Sequence, residues 1–145
     1  MPTISAAKTV EARQKQREYD KRATWDQLIG KKRATEEISL NVPDGNGGST
    51  EVTMLFQAIG TREYDKLLAK HPPKAEQKLE GASYDINSFG PDIIHKCAVE
   101  PELSIQEARQ LWDSDDWSRG EIMTLFRAAV EVCNRGLDIP FTGND

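Results

Sequence analysis

The sequence predicts a mainly helical protein with one β-hairpin, an α+β fold. Apolar and polar residues alternate over about residues 35–57, around a turn, and from residue 61 onward the apolar residues recur at helical spacing. With 145 residues the chain has room for one compact domain and an arm. We therefore expect a basic helical arm (1–33), a hairpin-plus-helical domain (34–136) and a flexible C-terminal tail (137–145).

The first predicted element is a projecting N-terminal helix over residues 3–30, which contain no glycine or proline before Gly30. Its apolar residues stand at the two ends and its middle is almost wholly polar, so it cannot bury a continuous stripe. Charge also separates this arm from the rest. Residues 1–33 carry nine Lys and Arg against four Asp and Glu, whereas residues 34–145 carry ten against twenty, giving net charges of +5 and −10.

The second predicted element is a two-stranded hairpin with one apolar face. Its two alternating runs flank Pro43-Asp-Gly-Asn-Gly-Gly48, a segment typical of a turn. Two strands alone are marginal in water, so the apolar face must pack on helices. Both outer edges are predicted to be free to pair with another chain. The apolar face comprises Ile38, Leu40, Val42, Val52, Met54 and Phe56.

A cluster of four short helices is predicted after the hairpin, and a polar stretch to about Ser83 separates the first two as a flexible loop. Thr61 is predicted to cap the first helix, and Pro91 is suited to the first turn of the second, which Pro101 ends. The last two begin with the capping boxes Ser104-x-x-Glu107 and Ser118-x-x-Glu121. Gly136 is placed to end the final helix.

The residues that could support catalysis or metal binding do not form a recognisable set. Cys97 and Cys133 fall in helical apolar patterns and are interpreted as buried reduced thiols, with a disulfide as the alternative. His95 and Cys97 lack a second ligand pair for zinc, so we place Cys97 in the core and His95 at the surface. His71 is interpreted as a helix C-cap. The sequence therefore predicts no enzyme, catalytic residue, metal or cofactor.

The basic arm is the predicted partner-binding region. It suits either a nucleic acid or an acidic protein surface, including the body of another copy. Acidic residues are interleaved along the arm and the body would repel phosphate, so protein contact and homo-oligomerisation are favoured. The candidate partner-binding residues are Val10, Arg13, Arg17, Tyr19, Arg22, Trp25, Lys31, Lys32 and Arg33.

Three stretches carry a resemblance to a known family: FQAIGTREYDKLLAKHPPKAEQ, YDINSFGPDIIHKC and the segment from Val99 to Phe141. The last contains a Glu-Pro-x-Leu-Ser step at residues 100–104, the pair Leu111-Trp112 and the helix start Trp117-Ser-Arg-Gly-Glu121. In order and spacing, residues 22–141 resemble tail assembly chaperones of long-tailed (siphovirus-type) bacteriophages and prophages of actinobacterial hosts.

The resemblance implies a role in viral tail morphogenesis. Such chaperones coat the tape measure protein in the host cell cytoplasm before the tail tube forms, and they are absent from the mature virion. Many also exist in a longer frameshifted form whose extension recruits the tail tube protein. The alternatives are a head–tail adaptor or other small phage virion protein, and a nucleic-acid-binding regulator. No apolar run approaches the roughly 20 residues of a membrane span, and no signal peptide is expected.

Overall fold

Seven helices and a three-stranded antiparallel sheet make up the residues that this computed structural model describes, 9–14 and 21–137. The predicted α+β class is confirmed. The chain divides into two compact units, with the boundary between Lys32 and Arg33. The predicted C-terminal tail lies outside the described residues from 138 onward.

In the first unit the structure describes helix α1 over residues 9–14 and helix α2 over Trp25–Ile29. The predicted helix over residues 3–30 is wrong at residues 21–24, which are not helical. A capping box starts α2 anew there. The Thr24 hydroxyl accepts a hydrogen bond from the Gln27 amide at 3.3 Å, and the Gln27 side chain accepts one from the Thr24 amide at 3.0 Å.

The hairpin consists of β1 (Thr35–Pro43) and β2 (Ser49–Gln57). They pair in register from Thr35 opposite Gln57 to Pro43 opposite Ser49. In the turn, one carboxylate oxygen of Asp44 accepts the amides of Asn46 and Gly48 at 2.8 and 3.1 Å. Gly45 and Gly47 have a φ of 84°, a backbone conformation that favours glycine.

A third strand, β3 (Ala98–Glu100), pairs antiparallel with β2 beside Leu55 and Phe56. Two predictions are therefore wrong: the helix does not continue to Pro101, and β2 does not keep a free outer edge. The physical reason is a tertiary one, because the Leu55–Phe56 backbone offers pairing partners that Ala98–Glu100 gains by leaving the helix. On its other side, β1 keeps an edge that no described strand pairs with.

Five helices follow the hairpin, not four. They are α3 (Thr61–Lys70), α4 (Ala75–Leu79), α5 (Ile86–Cys97), α6 (Ile105–Trp112) and α7 (Arg119–Asn134). The extra helix, α4, lies in the stretch predicted as a flexible loop. Both predicted capping boxes, at the starts of α6 and α7, are present.

Three helix boundaries differ from the prediction. Gly60, not Thr61, precedes α3 as its N-cap. Asp85 caps α5 by accepting the Asn87 amide at 3.2 Å, so the helix begins early enough to put Pro91 inside it. Helix α7 ends two residues before Gly136, where the Arg135 side chain donates a hydrogen bond to the carbonyl of Thr35 at 3.1 Å.

The core lies between the inner face of the sheet and helices α5 and α7. Aromatic rings fill its centre: the Phe89 ring lies 4.7 Å from that of Tyr84 and 6.0 Å from that of Phe126, centroid to centroid. This shared core fixes the position of the hairpin relative to α7. The largest fully buried side chains are Phe56, Phe89, Ile93, Ile94, Leu125, Val132 and Cys97.

Candidate protein-binding surfaces

Helix α2 exposes three large apolar side chains. Trp25 is 71% exposed, Leu28 59% and Ile29 69%. Their spacing of three and four residues puts them on one face of the helix. We call these three side chains the arm patch. Three large apolar side chains exposed on one helix face make the arm patch a candidate binding surface.

Basic side chains follow the arm patch along the chain. Lys31, Lys32 and Arg33 are exposed, and the Lys31 ammonium donates a hydrogen bond to the Lys32 carbonyl at 2.9 Å. A partner that bound this segment would need to offer an apolar surface next to negative charge.

The other predicted partner-binding residues have two outcomes. Val10, Arg13 and Arg22 are exposed, whereas Arg17 and Tyr19 lie outside the described residues. The set chosen from the sequence omitted Leu28 and Ile29. Their spacing relative to Trp25 was the signal that could have found them.

A second surface is an open groove between β1 and the N-terminal half of α7, with a volume of about 320 Å³. We call it the hairpin groove. Trp117 borders it and also lines a neighbouring pocket of about 190 Å³. The hairpin groove is lined by Ile38, Ser39, Leu40, Asn41, Trp117, Glu121, Thr124 and Leu125.

The hairpin groove combines an apolar floor with a negative rim. Ile38 and Leu40 are half-buried there, and Leu125 is buried. Glu121 stands at the rim. The Ser118 backbone amide donates to the Glu121 carboxylate at 2.8 Å and lowers the pKa of that carboxyl, which favours its charged form.

Two neighbouring features add to the character of the hairpin groove. The exposed acidic residues Asp113, Asp115 and Asp116 precede Trp117 in the chain. Val52 is paired with Leu40 across the hairpin and remains 38% exposed, although Met54 and Phe56 on the same face are buried. The distal half of the apolar hairpin face is therefore incompletely covered.

The two histidines take part in contacts within the fold. His71 is the C-cap of α3, as predicted, but its Nε2 also lies 2.8 Å from Oδ2 of Asp92 on α5. His95 is half-buried, not at the surface as predicted, and its Nδ1 lies 2.6 Å from the Leu103 carbonyl oxygen. Each imidazole ring thus contacts a different segment of the fold: His71 contacts α5, and His95 contacts the segment before α6.

The two cysteines are free thiols. Cys97 is buried, as predicted, but Cys133 is only half-buried, because it lies near the end of α7, where the core meets a surface pocket. Among the described residues, no group of three or more His, Cys, Asp or Glu side chains could hold a metal ion. Over the same residues, no helix has the length and apolar character needed to span a membrane.

Comparisons with known proteins found no match to this chain among protein-family models, curated proteins or solved structures. What the protein does must therefore be inferred from its own surfaces and motifs. The arm patch and the hairpin groove are the surfaces best suited to protein contact.

Proposed function

We propose that this protein is a non-catalytic tail assembly chaperone of a long-tailed bacteriophage or prophage. It binds and coats the tape measure protein during tail morphogenesis and associates with itself in many copies. The observation that carries the proposal is the series of motifs between residues 22 and 141, whose order and spacing resemble that family. Its place of action is the host cell cytoplasm, before the virion is complete.

Several of those motifs have a structural role in this chain. Ser104 and Ser118 cap α6 and α7. Trp112 packs against Phe126, with 6.1 Å between ring centroids, and its ring also approaches the Gly90 backbone. The resemblance therefore concerns residues that specify a fold. It supports a shared architecture, and the binding role has to be argued from the exposed surfaces.

The nature of the client explains why a chaperone that associates with itself would be useful. A tape measure protein is long and rich in helices, and before the tube surrounds it, its apolar stripes are open to aggregation. Coating it requires many copies that each bind weakly. Linking neighbouring copies raises their effective concentration along the client, so that weak contacts give a strong total.

The two candidate surfaces suggest how copies are linked. The arm patch is apolar and lies in a segment of net charge +5, whereas the hairpin groove has an apolar floor and a negative rim on a body of net charge −10. We infer that the arm patch of one copy docks in the hairpin groove of the next. Such a head-to-tail contact does not close on itself, so it can extend along a client.

Co-expression with the tape measure protein encoded beside this chain tests the function. The wild-type protein should keep the tape measure protein soluble and copurify with it. With a variant in which Trp25, Leu28 and Ile29 are changed to Ala, about tenfold less tape measure protein should copurify, because avidity is lost. Leu79→Ala is the matched control, since Leu79 is 90% exposed but lies on α4. A tape measure protein that stays insoluble with the wild type would overturn the proposal.

Mass spectrometry of purified virions separates this function from its closest alternative. A chaperone should be missing from the particles, whereas a head–tail adaptor or other small virion protein should be present in fixed copy number. Mass spectrometry of infected cells and of the same particles also tests for the longer form. A frameshifted product that recruits the tail tube protein should appear in infected cells and be missing from the virion.

A further inference from the structure

Two thiols meet at the ends of α5 and α7. The sulfur atoms of Cys97 and Cys133 are 3.5 Å apart, although the two residues are 36 positions apart in sequence. Both are free. A disulfide bond is about 2.05 Å long, so the sulfurs need to approach by only about 1.5 Å to form one.

Only one of the two cysteines reaches the surface. Cys133 is half-buried and lines a surface pocket of about 350 Å³ that also includes Tyr64, Asn134 and Arg135. Cys97 is 0% exposed and lies behind it in the core. A small molecule entering the pocket therefore meets the sulfur of Cys133 first.

The surroundings favour a thiolate at Cys133. The hydrogen bond between Cys133 and the Cys97 thiol, together with the Ile59 backbone and the positive charge of Arg33, lowers the pKa of Cys133 to about 7, against the opposing effects of burial and Glu63. The same contact with Cys133, and burial, raise the pKa of Cys97. At neutral pH the accessible sulfur is thus the nucleophile, and the buried one keeps its proton.

We propose that Cys133 is a site of thiol–disulfide exchange with small-molecule disulfides of the glutathione type, and that Cys97 resolves the product into an internal Cys97–Cys133 disulfide. The pocket at Cys133 shares no lining residue with the hairpin groove. The proposed exchange reaction does not depend on the role in tail assembly.

The exchange takes place in two balanced steps. The Cys133 thiolate attacks one sulfur of the small disulfide, which breaks that bond, forms a mixed disulfide and releases one small thiolate. The released thiolate takes up a proton from water. Cys97 then attacks the sulfur of Cys133 and expels the second small thiolate, which takes the proton that Cys97 loses. Two electrons pass from the protein to the small disulfide, which is reduced to two thiols.

Native mass spectrometry and peptide mapping of the full-length chain test the proposal. The reduced protein is freed of reductant and incubated with oxidised glutathione. The wild type should yield a peptide pair joined through Cys97 and Cys133, with no glutathione attached. Cys97→Ser should retain one glutathione on Cys133. Cys133→Ser should remain unmodified, because the buried Cys97 cannot be reached. Circular dichroism checks that both variants are folded.

The pH dependence of the wild-type rate provides a readout that does not need a variant. Between pH 6 and 8 the initial rate should rise about tenfold, and above pH 8 it should level off. The rate of an ordinary thiol would rise nearly a hundredfold between pH 6 and 8. Stable glutathione on wild-type Cys133 with no internal disulfide would overturn the resolving role of Cys97. Equal labelling of both thiols, or of neither, would overturn the exchange site itself.

Discussion

At the scale of single residues, Gly90 shows how closely two helices of the core approach each other. A Cβ atom at Gly90 would lie 2.3 Å from the nearest ring atom of Trp112, with two further ring atoms within 2.8 Å. An indole ring is rigid and cannot bend away. The absence of a side chain at this position is therefore what lets α6 pack against α5.

Gly90→Ala is expected to lower the free energy of unfolding by about 1–3 kcal/mol, as overpacking does in other cores. Urea denaturation followed by tryptophan fluorescence measures it. Helix propensity alone would favour alanine by up to about 1 kcal/mol, so the sign reports the steric contact.

Gly120→Ala is the matched control for Gly90→Ala. It also lies in a helix, but its Cβ would meet only the Ser118 hydroxyl, at 4.0 Å. This variant should be as stable as the wild type or slightly more stable. Equal effects of the two substitutions would contradict the role assigned to the Trp112 contact.

At the scale of elements, capping determines where the last helix begins. The Ser118 hydroxyl accepts the Glu121 amide at 3.1 Å, and the Glu121 carboxylate accepts the Ser118 amide at 2.8 Å. Helix α7 contributes Leu125, Ala129 and Val132 to the core. Loss of this cap therefore affects the element on which much of the packing depends.

Ser118→Ala is expected to cost about 1 kcal/mol of stability, the usual effect of removing an N-cap side chain. Ser118→Asp keeps an acceptor at the cap and adds a negative charge at the helix N-terminus, so it should stay close to wild type. Thermal denaturation of the three proteins side by side gives the comparison. A Ser118→Asp protein as unstable as Ser118→Ala would argue against the cap.

The same scale shows why some elements could be predicted and others could not. The two capping boxes and the alternating hairpin strands depend on neighbours within a few residues, and the sequence displays those neighbours directly. Strand β3 could not be found in this way, because Ala98 and Val99 continue the apolar pattern of α5 and become a strand only through the backbone of Leu55 and Phe56.

At the scale of the whole molecule, the described residues of the first unit bury no side chain. Residues 9–14 and 21–32 are all exposed, and the buried core belongs entirely to the second unit. The described part of the arm therefore contributes no buried side chain to the core of the second unit.

A chain that begins at Arg33 is thus expected to unfold cooperatively within a few degrees of the full-length midpoint, while losing self-association. Light scattering of both proteins at equal concentration measures the second effect, and high salt should weaken association of the full-length protein, as expected for a contact between opposite charges. Unchanged mass after truncation would rule out the arm as the link. A truncated protein that fails to fold would show that the arm contributes to the core.

Part of the arm can be singled out from the sequence, whereas the hairpin groove depends on contacts between distant segments. A tryptophan in a polar, basic arm has few apolar neighbours to pack against, so the sequence draws attention to Trp25. The consecutive basic residues Lys31, Lys32 and Arg33 stand out through their charge. The hairpin groove could not be predicted. It arises where β1 and α7 pack against each other, and residues 38 and 125 line the same groove only through that contact.

The sequence by itself determined the α+β class, the hairpin, the capped starts of α6 and α7 and the charge difference between arm and body, because each follows from local spacing or from composition. Only the tertiary structure decided the third strand, the partial coverage of the hairpin face and the pairing of Cys97 with Cys133. Those features depend on which distant segments are in contact, and such contacts produce no periodic pattern in the sequence.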